Sequence, residues 1–315
     1  MAFLKAFGSY VPERRVLNQE LAQLLGCAPE WIQGASGIEE RRFAADGEGV
    51  VEMAVAAAQD CLGRAGVRAA DLGMLVVSSG SGEQRFPGPA SAIANRLGCA
   101  QIPALDLPLA SAGALFGLAL ANNLAARYGM VLVVAAEKMS AIGLREPLDK
   151  NVAILFGDGA GACLVSAERG DAAIGAIAGE AIHSDGAFAA DLRLSWGGPL
   201  EMNGRSVILQ AGRKLPAGIA EVLERAGRAA GDVEVFLLHQ ANKNLIDRVA
   251  QSLGVPAERF YCNIQRYGNT SSASMLIAAA EYFASHASRE KPIVFAAFGA
   301  GFNWGAILVQ PTTAP

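Results

Sequence analysis

The stretch "RAGVRAADLGMLVV" returns 161 positions later as "RAGRAAGDVEVFLL", with Ala65-Gly66 falling on Ala226-Gly227, Asp71 on Asp232 and the apolar run 74–77 on 235–238. Each copy reads as the end of an amphipathic helix, a glycine turn, an aspartate and a buried strand. The same offset carries Ser111 onto Ser272 in "YGNTSSASMLIAAAEYF". One residue of slip then lays "VLVVAAE" (131–137) on "IVFAAFG" (293–299). Beyond them, "FGDGAGACLVSAE" and "FGAGFNWGAILVQ" are both glycine-rich segments running into a strand. Elements recurring in this order predict an α/β chain of two related halves packed about a pseudo-twofold axis. The apolar pattern breaks at "AERGD", which divides the chain into residues 1–170, carrying Ser111, and 171–315, carrying His239 and Asn269. No linker rich in Pro, Gly or Ser separates them, so the halves are expected to share one core.

Composition narrows the function. Hydrophobic residues make up 52% of the chain, charged residues only 18%, and the net charge is -4. That balance gives no global basic field for nucleic acid or an anionic membrane. The longest uncharged stretch, 107–126, contains Pro108, Ser111, Asn122 and Asn123, and reads as a buried core helix rather than a membrane span. Cys27, Cys61, Cys99, Cys163 and Cys262 are an odd number without CxxC spacing, so they are expected to be reduced, buried thiols. A cytoplasmic protein is the expectation.

Several motifs have a functional and a bland reading. "GDGAGA" (157–162) suggests a phosphate loop, but such a loop must open a helix, and here "CLVSA" follows, so a tight strand-to-strand turn is expected. Ser111 and Asn269 stand at equivalent helix starts, where Ser and Asn serve as N-caps. His239 ends the strand "VEVFLLH", and the carboxyl ends of strands in α/β layers are where ligands gather. His183 and His286 read as structural or surface residues, and no spaced His, Cys or carboxylate set suggests a metal. Packing the halves back to back would bring Ser111, His239 and Asn269 together.

In these residues the chain resembles the thiolase-type condensing enzymes, and most closely 3-oxoacyl-acyl-carrier-protein synthase III. The resemblance runs through "GSYVPERRVLNQELAQLL", "EWIQGASGIEERR", "FPGPASAIANRLG", "VLVVAAEKMS", "ILFGDGAGA", "LLHQAN", "RYGNTSSAS" and "FGAGFNWG". It implies a five-layered αβαβα thiolase-like fold and a catalytic Cys, His and Asn, matched here by Ser111, His239 and Asn269. It further implies an oxyanion hole from the backbone N–H groups of Ser111 and Ala300, and an acyl pocket with Phe86, Phe156 and Phe298. Coenzyme A or pantetheine would lie against Trp31, Lys150, Gly204 and Asn242. The family's arginine positions carry Ala35 and Lys150, and a basic position used in carrier-protein docking carries Asn244 beside Lys243. A homodimer is implied, with Phe86 reaching across it, and acyl-coenzyme A or acyl-carrier protein as substrate without a resident cofactor.

Ser111 in the cysteine position is the main departure. A helix N-terminus can ionise a thiol near neutral pH, whereas a hydroxyl starts many units higher and needs a base such as His239. An oxygen ester is a poorer target for a carbanion than a thioester, which tilts the expectation toward acyl transfer in a fatty acid or polyketide pathway, with carbon–carbon bond formation still open. The alternatives are a non-catalytic acyl-binding or partner subunit and an engineered Cys-to-Ser form.

Overall fold

A computed structural model describes residues 1–99, 101–170, 173–286 and 290–311. The strands that matter are β1 (Phe3–Tyr10), β2 (Met74–Ser78), β3 (Ala104–Leu107), β4 (Met130–Lys138), β5 (Asp158–Ser166), β6 (Gly175–Ser184), β7 (Val235–Leu238), β8 (Ile293–Gly299) and β9 (Asn303–Gln310). The helices are α1 (Pro29–Ser36), α2 (Val50–Ala65), α3 (Pro89–Leu97), α4 (Gly113–Tyr128), α5 (Gly204–Arg225), α6 (Lys243–Leu253) and α7 (Ser274–Ser285).

The sheet order is β7-β8-β9-β6-β1-β5-β4-β2-β3. Read outward from the β1/β6 seam, each side runs antiparallel, antiparallel, then parallel: β1-β5-β4-β2 on one side and β6-β9-β8-β7 on the other. Among the described residues, only Phe3↔Ala176 and Leu4↔Gly175 are in register across the seam. The first half adds β3 at its edge, and the second half answers with a single bridge between Phe236 and Phe260.

Alternation along the strands sorts the side chains into layers. Val76 of β2 and Leu237 of β7 face a shared interior filled by α4 and α7. Their neighbours Leu75 and Val77 turn outward onto α2 and α3, while Phe236 and Leu238 turn onto α5 and α6. The result is five layers, αβαβα, with one core common to both halves. Helix α4 is apolar nearly all round, as a helix between two sheets must be. No helix among the described residues is long and apolar enough to cross a membrane.

Two expectations need correction. The glycines of "GDGAGA" do not form a turn: Gly159 and Gly161 lie within β5. A Cβ on Gly161 would stand 2.5 Å from Leu276 Cβ, so the missing side chain lets α7 settle directly on the strand. Gly161→Ala is expected to lower stability by about 3 kcal/mol through overpacking, read by urea denaturation. Nor are all the thiols buried. Cys61 and Cys163 are, but Cys27, Cys99 and Cys262 are partly open, and all five are free.

Candidate active site

Ser111 lies in the connection from β3 to α4, and it is not a helix cap. The N-cap is Ala112, and Ser111 has φ of 63° at the apex of a three-residue turn closed by the Ala112 N–H donating to Ala110 O at 2.7 Å. That conformation costs a non-glycine residue about 1–3 kcal/mol, so neighbours must enforce it. Two glycines make the enforcement possible. A Cβ on Gly113 would fall 1.8 Å from Ser78 Oγ, and one on Gly299 would fall 2.1 Å from Ala110 O. The first lets the start of α4 press on the end of β2. The second lets the hairpin that carries Ala300, between β8 and β9, press on the Ser111 turn.

The second half approaches from the other side with a left-handed residue of its own, in a turn closed by the Ala273 N–H donating to Thr270 O at 3.1 Å. Ser271 has φ of 48°, and its Oγ accepts the Ser111 N–H at 3.0 Å. The helices themselves start 161 residues apart, at Gly113 and Ser274, as the repeat predicts, while the left-handed residue of the second half is Ser271, one before Ser272. Ser271 joins the other members of the trio as well. Its N–H donates to Asn269 Oδ1 at 2.9 Å, and its backbone lies close enough to His239 to favour the protonated imidazole.

Asn269 stands five residues ahead of α7, not at its cap. Its N–H donates to Leu155 O at 2.9 Å and its carbonyl accepts the Gly157 N–H at 3.2 Å, which fixes it beside Phe156. His239 follows β7 directly and is buried. Its Nδ1 meets Ser274 Oγ at 2.6 Å, and that oxygen also accepts the Gln240 N–H at 3.0 Å. A serine hydroxyl can give a proton to Nδ1 or take one from it, so this contact supports either tautomer. Burial drives the imidazole down to about 3, against the Ser271 backbone, which raises it, and His239 is neutral at pH 7. The ring of Phe298 meets it edge-on at 5.7 Å.

A second group gathers on α1 and α6. Lys150 Nζ sits 5.5 Å from the centre of the Trp31 ring, a cation–π contact on a tryptophan that stays 38% exposed. Asn242 is the N-cap of α6, accepting the Asn244 N–H, and its amide donates to Ala35 O at 2.9 Å. Asn244 reaches Gly34 O at 3.1 Å, so these side chains clamp α1 to α6. Gly204 opens α5, with Met202 Cε the nearest atom to where its Cβ would be, at 3.9 Å. Phe86 joins neither group. It is 83% exposed on the loop before α3. His183 is held by Glu221 at 2.7 Å.

Sequence reasoning missed Ser271, Ser274 and Glu137. The signal was there: "NTSSAS" puts polar residues in an apolar setting and Glu137 closes an apolar strand, and buried polar groups require partners.

Comparison with known proteins places this geometry. Residues 105–189 match the model for 3-oxoacyl-[acyl-carrier-protein (ACP)] synthase III, and residues 223–310 match the model for its C-terminal part. The beta-ketoacyl-[acyl-carrier-protein] synthase III of Oleidesulfovibrio alaskensis is 34% identical, with 98% of each chain covered. The 3-oxoacyl-[acyl-carrier-protein] synthase III of Aquifex aeolicus superposes with a TM-score of 0.93 at 31% identity, covering 98% of this chain and 100% of that one. The priming beta-ketosynthase of the R1128 polyketide biosynthetic pathway gives a TM-score of 0.89 at 33% identity, covering 100% and 97%. A chain alike in sequence along nearly its whole length, and alike in fold, belongs to the 3-oxoacyl-[acyl-carrier-protein] synthase III family of condensing acyltransferases.

Proposed function

We propose that this protein is an acyltransferase of the ketoacyl synthase III type that takes its acyl group onto Ser111 from a coenzyme A or acyl-carrier-protein thioester. The observation that carries the reading is the meeting of the two left-handed turns: Ser271 contacts Ser111, Asn269 and His239 at once. Ser111 Oγ attacks the thioester carbonyl, the carbon–sulfur bond breaks, and the thiol leaves with the proton that the hydroxyl gave up. A neutral His239 can accept that proton on the way, and it becomes a better base as negative charge builds on the acyl oxygen.

Ala300 N–H and Ser111 N–H are the candidate donors to that oxygen. The Ser111 N–H already serves Ser271 Oγ, so an acyl oxyanion has to share it. Phe156 and Phe298 would line the acyl group, Phe86 would come from a second copy in a homodimer, and Trp31, Lys150, Gly204 and Asn242 would hold the pantetheine or nucleotide end. Lys150 keeps a charge there but gives up the planar, bidentate bonding of an arginine. Release of the acyl group from an oxygen ester favours transfer to a thiol, alcohol or amine, in a fatty acid or polyketide pathway of the cytoplasm.

The test is incubation with acyl-coenzyme A and acyl-carrier donors followed by peptide mass spectrometry. An acyl group on the Ser111 peptide, absent in Ser111→Ala, is expected. Acyl binding without any adduct would replace this reading with that of a non-catalytic acyl-binding subunit.

A further inference from the structure

Glu137, the residue before the last of β4, is fully buried, yet every hydrogen-bond partner it has among the described residues is uncharged. Gly80 N–H donates to it at 3.0 Å and Ser81 Oγ at 2.5 Å, both from the loop after β2. From the second half, Ser272 donates through Oγ at 2.6 Å and through its N–H at 3.3 Å. A carboxylate accepts only, so each hydroxyl must turn its proton toward it. Ser271, next to Ser272 in the chain, accepts the Ser111 N–H on its Oγ, so Glu137 anchors the residue beside the one that holds Ser111.

We propose that Glu137 is a positioning residue for Ser111. By holding Ser272 through its N–H and hydroxyl, it fixes the neighbouring Ser271 against the Ser111 turn of the opposite half, and so the direction in which Ser111 Oγ is presented. Such a group acts at a distance because the residues at Ser111 and Ser271 are both strained and persist only where several contacts over-determine them. Burial pushes the Glu137 carboxyl up, and the surrounding hydroxyl and amide donors oppose that shift. This role rests on reading Ser111 as the acylated residue.

Glu137→Gln preserves shape but turns an amide NH2 toward groups that are themselves donors. At saturating donor, the rate of Ser111 acylation is expected to fall about 100-fold, with the half-saturating donor concentration unchanged. Glu137→Asp, which keeps the acceptor oxygens, is expected to recover part of that loss. Wild-type acylation by Glu137→Gln, or equal losses in both variants, would overturn the proposal. Hydrogen exchange decides it independently of any acyl chemistry. The peptide containing Ser111 is expected to exchange about ten-fold faster in Glu137→Gln while the strands keep their protection, and unchanged exchange would overturn the proposal. Should the wild type take no acyl group, the reading of Ser111 fails on its own and the exchange result still decides Glu137. If Glu137→Gln does not fold, Ser272→Ala removes the hydroxyl link to Glu137 and is read the same way.

Discussion

Ser111→Ala is expected to lower acyl transfer by a factor of about 1,000 or more and to leave the fold intact. Removing an acylated nucleophile takes away the covalent route, leaving only binding and whatever the backbone donors supply. The side chain contributes little to the core, because Ser111 is only partly buried and the hydrogen bond to Ser271 uses its backbone N–H. Ser111→Gly sharpens the contrast. Glycine occupies φ of 63° without penalty, so this variant is expected to gain about 1 kcal/mol in stability while losing as much activity as the alanine variant. Stability rising as function disappears identifies strain maintained for chemistry. Ser111→Cys is expected to form the adduct as a thioester and to speed its capture by a carbon nucleophile such as malonyl thioester, measured as ketoacyl product. Equal condensation by the serine and cysteine forms would show that the oxygen ester is no handicap, and acyl transfer by Ser111→Ala at the wild-type rate would remove Ser111 from the reaction.

The repeat that organises the fold was legible because hydrophobic period and length carry it: β2 and β7 sit 161 residues apart and occupy mirrored places in the sheet. The site was legible as a set of residues but not as a geometry. A periodic pattern specifies which face of an element is buried and says nothing about which residue of the preceding turn goes left-handed, so the contact of Ser271 with Ser111 was not foreseen and Ser111 was read as a cap. Glycine was misread for a related reason. In β5 its purpose is the approach of α7, a tertiary fact that a strand-turn pattern cannot contain. Asn242 combines both kinds of information, since the cap that starts α6 also ties α6 to α1.

The stability of the protein is expected to fall as pH drops below about 6.5, because of His239. Its native value is about 3, and an exposed imidazole in the unfolded chain titrates near 6.5, so between these values the unfolded state binds a proton that the native state refuses. More protons on the unfolded state means that stability rises with pH across that window, by about 1.4 kcal/mol per pH unit once His239 alone is considered. From pH 6.5 to pH 5 this amounts to roughly 2 kcal/mol. Glu137 and Asp158 act in the opposite sense. Burial raises both carboxyls, so just above 4.5 and 3.8 respectively the native state binds the extra proton and acidification relieves them. The measurement is therefore a difference: urea denaturation of wild type and His239→Gln at several pH values, in which the carboxylate contributions cancel. The difference is expected to shrink by that amount between pH 6.5 and pH 5, and a difference independent of pH would show that His239 titrates normally. The same burial fixes the pH dependence of catalysis. His239 is neutral throughout pH 5 to 7.5, so the acylation rate is expected to show no limb near 6.5, and a limb there would assign the base to a solvated imidazole instead.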